Sequence, residues 1–132
     1  MNNPGIFVAL IFVACTSLVI VRRVMRHRYI DQRTPMSLDQ IYQDDVSDHG
    51  VSFGTFWEVY ERFARAYHID KHLIRPGDAI TLYSDLDKWS LGEGAEKMGR
   101  WLSGEFDYDP ETDKPTTVMD VMQLVQARSD KT

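Results

Sequence analysis

Two histidines four residues apart, His68 and His72, are the first candidates for chemistry. On one face of a helix that spacing offers two imidazoles to a metal ion. Here the pair straddles an expected helix end, and no cysteine or third histidine stands nearby. Asp44, Asp45 and Asp48 lack the glycine and the terminal glutamate of a calcium loop. Asp107, Asp109, Glu111 and Asp113 alternate like calcium ligands, but no glutamate follows at the twelfth position. These residues therefore read as solvated loops, and no metal site is expected. Serines, histidines and aspartates occur, yet no G-x-S-x-G turn presents a nucleophile. Phosphate-cradling glycine motifs are absent, so the chain reads as non-enzymatic. Ser90 opens Ser90-Leu91-Gly92-Glu93, the spacing of a helix capping box.

The elements around these residues are helical. Thr55-Phe56-Trp57-Glu58 is a capping box, and Phe56, Val59, Tyr60, Phe63 and Tyr67 follow at helical spacing. Glu58, Glu61, Arg62 and Arg65 fall largely off that stripe, and the helix should end near His68–Asp70. Trp57 and Trp101 are expected in the core with these aromatics. Residues 70–89 read as a long connector with a turn at Arg75-Pro76-Gly77-Asp78, and Ala79, Ile80, Leu82 and Leu86 should tuck into the core. A second helix is expected from Ser90, with Leu91, Ala95, Met98, Leu102 and Phe106 inward. A third runs from about Thr117 to Ala127, capped by Thr117, with Asp120 in its first turn and Val118, Val121, Met122 and Val125 buried. No strand alternation is long enough to predict a sheet.

The N-terminus has a different character. Gly5 to Val21 is 17 residues without a charge. At about 1.5 Å per residue it spans roughly 25 Å, slightly under the ~30 Å hydrocarbon core of a bilayer. Arg22 and Arg23 can snorkel to cover the difference. A surface helix of a soluble domain would show a polar face, and this one has none. Arg22, Arg23, Arg26 and Arg28 follow directly, so the positive-inside rule predicts a cytoplasmic C-terminal side. A secretory signal has the reverse order, basic first and apolar second. Phe12-Val13-Ala14-Cys15 faintly resembles a lipoprotein cleavage site, but the apolar run continues past the cysteine. Cys15 is the single cysteine, so no disulfide can form within one chain.

Charge divides at the same boundary. Residues 22–33 hold five arginines and one acid, whereas residues 34–132 hold ten basic residues against nineteen acidic, a net of −9. That excess argues against a nucleic-acid partner and for a protein partner with a basic surface. The basic flank Arg22, Arg23, Arg26 and Arg28 reads first as a topology signal, with binding to anionic lipid head groups as the alternative.

From Phe56 to the end, the order of segments resembles an acyl carrier or peptidyl carrier domain. The carrying residues are the turn Arg75-Pro76-Gly77-Asp78, the segment Asp85-Leu86-Asp87-Lys88-Trp89-Ser90-Leu91, the helix end Leu102-Ser103-Gly104-Glu105-Phe106-Asp107-Tyr108, and Thr116-Thr117-Val118-Met119-Asp120-Val121. The family pattern D-L-G-x-D-S-L departs here at two places, Asp87 for the glycine and Trp89 for the aspartate before the serine. The resemblance implies that Ser90 stands where phosphopantetheine is attached, and that Glu93, Glu96 and Glu105 on the second helix face a basic partner. The loss of the preceding aspartate implies a degenerate, unmodified carrier-like module, with no cofactor; phosphopantetheine on Ser90 is the alternative. A small accessory subunit of a membrane complex, with no carrier ancestry, is a further one.

The expected architecture is all-α: a membrane anchor with its basic flank over 1–28, a polar connector over 29–53, and a carrier-like bundle of three to four helices over 54–132. The expected function is a membrane-anchored docking module facing the cytoplasm.

Overall fold

The structure is a computed structural model and describes residues 3–88 and 93–131. Those residues form helices and loops, with no strand beyond an isolated bridge between Ala79 and Thr117.

α1 runs from Pro4 to Arg26. Proline suits a first helical turn, where its missing N–H would have no partner. Pro4–Val24, 21 residues, is long and apolar enough to cross a membrane, and none of it is buried in the protein. At about 1.5 Å per residue these 21 residues reach about 31 Å, the thickness of a hydrocarbon core. Arg22 and Arg23 therefore lie inside the apolar stretch rather than beyond it. The helix continues without interruption into a wider, π-helical turn, His27–Asp31.

The stretch expected to be a polar connector packs into the core. Leu38–Ile41 forms α2, capped by Ser37, and runs on through a π-helical turn, Tyr42–Val46, and a short 3-10 turn, Ser47–His49. Ile30, Leu38, Ile41, Val46 and Val51 are buried with the main cluster. The acids between them, Asp39, Asp44, Asp45 and Asp48, point to solvent.

α3, Phe53–Tyr67, buries the expected stripe of Phe56, Val59, Tyr60, Phe63 and Tyr67. Its cap is Ser52, whose hydroxyl accepts from the Thr55 amide, and Thr55 itself is buried in the first turn. Trp57, expected in the core, is 41% exposed, and the Lys71 ammonium lies 4.1 Å from its ring centre. His68 ends α3 in the left-handed region, φ 54°.

The long connector has structure of its own. A 3-10 turn at Lys71–Leu73 precedes α4, Ile80–Lys88. Ile80, Leu82 and Leu86 are partly buried, Tyr83 is fully buried, and Ala79 stays exposed. α5 runs from Gly94 to Phe106 and α6 from Val118 to Ser129. Ala95 of α5 is exposed, whereas Met98, Trp101, Leu102 and Phe106 are buried. α6 opens on a complete capping box between Thr117 and Asp120, and its buried face is the expected one.

A polar clamp ties the exit of α1 to the bundle. Arg33 donates to both carboxylate oxygens of Asp78, at 2.6 and 2.8 Å, and to the Leu73 carbonyl at 3.0 Å. Tyr83 Oη donates to the same carboxylate at 2.6 Å, and the Arg75 amide at 2.9 Å. Arg75 reaches back to the Thr34 carbonyl at 2.5 Å. The Met36 amide and the His72 carbonyl pair at 3.1 Å, and His72 Nδ1 donates to the Met36 carbonyl at 3.0 Å. The bond to Asp78 raises the pKa of Arg33, so this guanidinium stays charged despite partial burial.

Candidate functional site

An open concavity of about 670 Å³ lies between α3 and α5. Arg62, Arg65 and Ala66 come from α3, at offsets of three and four residues that share one helix face. α5 supplies Lys97, Arg100, Trp101 and Glu105, on successive turns. The two helices approach closely at Gly94. A Cβ there would lie 2.6 Å from Tyr67 Cδ1 and 2.8 Å from the Ala66 carbonyl oxygen, closer than side chains pack. The start of α5 is thereby set beside the end of α3.

Four cations thus share one groove with an aromatic floor. The Arg62 guanidinium lies 5.1 Å from the Trp101 ring centre, within cation–π range. Trp101 Nε1 donates to Glu105 Oε2 at 3.1 Å, which fixes both the indole and the carboxylate. Glu105 is the one acid lining the groove among the described residues. Arg65 pairs with Glu61 at 3.6 Å, Lys97 with Glu93 at 3.6 Å, and Arg100 with Glu96 at 3.8 Å. All three acids lie outside the groove lining. Such exposed i,i+4 pairs are weak, so a stronger anion can compete for the cations. Glu61 also accepts from Lys71 at 2.6 Å, and that bond holds its carboxyl below the usual range.

This arrangement alters the expected acidic face. Glu93 and Glu96 are solvent-exposed, but each sits one turn from its own cation on α5. Glu105 is turned onto Trp101. The three glutamates therefore alternate with Lys97 and Arg100 instead of forming a uniformly negative surface. The sequence places Arg62 and Arg65 off the apolar stripe of α3, but Lys97 and Arg100 stand outside that reading, although the i,i+4 spacing of Glu93–Lys97 and Glu96–Arg100 is visible in the chain.

Ser90 lies outside the described residues, as do Trp89, Leu91 and Gly92. α5 begins at Gly94, later than expected, with Glu93 making no side-chain cap bond. Its first amides are served instead by Asp87 of α4, whose carboxylate accepts from Gly94 N and Ala95 N at 3.1 Å each. The carboxylate expected to interrupt a D-L-G motif is thus a cap supplied to α5 by the preceding helix, α4.

Around the C-terminal end of α1, Arg22 and Arg23 are exposed, and Arg28 is exposed beyond them. Arg26 donates to the carbonyl of His68 at the end of α3 and lies 3.7 Å from Asp31. The acidic loop after α5 is knitted internally. Asp109 accepts from the Glu111 amide and the Thr112 hydroxyl, and Asp113 binds Arg128 through both oxygens at 2.9 and 3.0 Å. Among the described residues, no group of three His, Cys, Asp or Glu side chains converges as metal ligands would. A second, narrower cavity of about 190 Å³ lies under α5, lined by Phe63, Tyr67, Met98, Gly99, Leu102 and Val121 among others.

No protein-family model, no curated protein and no solved structure matches this chain.

Proposed function

We propose that this chain is a single-pass, membrane-anchored docking module without enzymatic activity, its bundle facing the cytoplasm. The observation that carries this reading is the junction of anchor and bundle. An apolar helix exposed along its whole length runs, within seven residues of Arg26, into the Arg33–Asp78–Tyr83 clamp. A bundle held this way stands at a fixed place beside the bilayer and presents one groove there. Tethering raises the effective concentration of that groove for membrane-bound partners. The arginines at positions 22, 23, 26 and 28 favour the cytoplasmic orientation. The fold is carrier-like in this reading, on the strength of the order of its segments and the Thr117–Asp120 opening of α6.

Protease added to sealed inside-out vesicles should digest the bundle and leave α1, whereas right-side-out vesicles should protect the bundle. Digestion from the outer face alone would overturn the orientation. Intact-mass measurement of the native protein separates the docking module from a working carrier. An unmodified mass supports docking, and a gain of one phosphopantetheinyl group on Ser90 overturns it.

A further inference from the structure

We propose that the groove between α3 and α5 seats the phosphate of an anionic phospholipid from the bilayer that α1 crosses. The proposal rests on the reading of α1 as a membrane span.

Three observations lead to it. The first is charge. Arg62, Arg65, Lys97 and Arg100 line one concavity, against Glu105 alone, and Glu105 is held by the Trp101 indole. The rest of the domain is acidic, so this is a local reversal. Guanidinium groups in particular match the geometry of phosphate oxygens. The weak pairs at 3.6–3.8 Å leave each of Arg65, Lys97 and Arg100 able to turn to a better anion.

The second is position. Val24, the last residue of the apolar span, to Arg26 covers about 3 Å of helix, within a head-group layer about 5–7 Å thick. Arg26 donates to the His68 carbonyl, so the C-terminal end of α3 lies at the level of the head groups. Arg65 stands three residues before His68 and Arg62 one turn earlier. Lys97 faces them from the first turn of α5.

The third is the floor. Trp101 is an amphipathic ring with its N–H bonded and its face covered by Arg62. Trp101 itself is buried, so it sets Arg62 and Glu105 in place from beneath the groove without facing the lipid. Cytoplasmic leaflets supply the anionic lipid.

The test uses the full chain in nanodiscs of phosphatidylcholine, alone or with rising fractions of phosphatidylglycerol. Trp57→Phe and Trp89→Phe leave Trp101 as the reporter. Trp101 emission should change saturably with phosphatidylglycerol and stay constant without it. Arg65→Gln should raise the half-saturating fraction about fivefold, the worth of one cation near an anionic surface. Arg65→Gln/Lys97→Gln/Arg100→Gln should abolish the response, and Arg22→Gln/Arg23→Gln should keep it. Circular dichroism checks that each variant is folded, and Arg65→Gln alone decides the matter if the triple variant is not. A native response indifferent to phosphatidylglycerol overturns the proposal. So does a response to millimolar inorganic phosphate, or to a poly-glutamate peptide, in discs of phosphatidylcholine alone, since either assigns the groove to a soluble partner. Carbonate extraction separates the two readings. Release of the chain from vesicles removes the span, whereas retention with an unresponsive Trp101 removes the lipid seat only.

Discussion

Replacing Asp78 by alanine should cost this protein about 4 kcal/mol of stability. The Asp78 side chain is 8% exposed and serves three donors at once, Arg33, Tyr83 and the Arg75 amide. Removing one member of a buried ion pair costs about 3–5 kcal/mol, because the other charge is stranded. Arg33 is 25% exposed and keeps the Leu73 carbonyl, so its share falls to about 2–3 kcal/mol. Tyr83 is fully buried and loses the acceptor of its hydroxyl, which adds about 1–2 kcal/mol. For a domain of about 100 residues, each 1 kcal/mol moves Tm by about 4–8 °C, so the expected fall is about 15–30 °C. The assay is thermal and urea unfolding of the full chain in detergent micelles, followed by tryptophan fluorescence. Arg33→Met/Asp78→Ala should cost at least about 1 kcal/mol less than the two single changes together, because the charge stranded by either one is absent. A cost below about 1 kcal/mol for Asp78→Ala, or singles that add within ~0.5 kcal/mol, would refute the clamp as a coupled unit.

Gly94→Ala should destabilise by about 1–3 kcal/mol, because overpacking against Tyr67 and the Ala66 carbonyl outweighs the ~1 kcal/mol gain in helix propensity. Gly99→Ala, where a Cβ meets nothing within 4 Å, should stabilise by up to about 1 kcal/mol in the same urea titration. Asp87→Ala removes the cap of α5 and should cost about 0.5–2 kcal/mol, with faster amide exchange at Gly94 and Ala95. Stability should also fall above pH 10. Burial raises the phenol of Tyr67 to about 12, with Asp87 adding to the shift, and pushes Tyr60 and Tyr83 up as well. All three are neutral in both states below their ordinary value of 10.0, so the full stability is present there. Above it the unfolded chain ionises first, and each tyrosine removes about 1.4 kcal/mol per pH unit. Tyr67→Phe should cut that slope by about a third between pH 10 and 11.5; an unchanged slope would count against burial as the cause.

The parts of this fold that show in the sequence are those fixed by local pattern. α3 and α6 each carry an apolar stripe at helical spacing, and Thr117-Val118-Met119-Asp120 caps α6 from within its own first turn. The apolar stretch of α1 needs only length and the absence of charge. What the sequence hides depends on distant partners. Val46 and Val51 are scattered among aspartates and glycines, and only their packing against the main cluster makes them core. α4 follows a Pro-Gly turn and carries Asp85 and Asp87, so its pattern resembles a loop. Ser52 and Thr55 are both plausible caps by type, and the geometry selects Ser52. The cap of α5 comes from another helix, which no spacing rule anticipates. The groove was hidden for a similar reason. Its cations lie on two helices 32 or more residues apart, and each helix alone reads as an ordinary mixed-charge surface.

The uninterrupted path from α1 to the clamp has a mechanical consequence. A flexible linker of 25 residues would let its cargo wander over about 25–30 Å from the anchor. Here the backbone is gripped again at Arg33, so the bundle behaves as a bracket bolted to its post. Rotating the post about its own axis must swing the bracket with it. In the proposed membrane-anchored arrangement, the bearing of the α3–α5 groove in the plane of the bilayer is set by whatever α1 leans against.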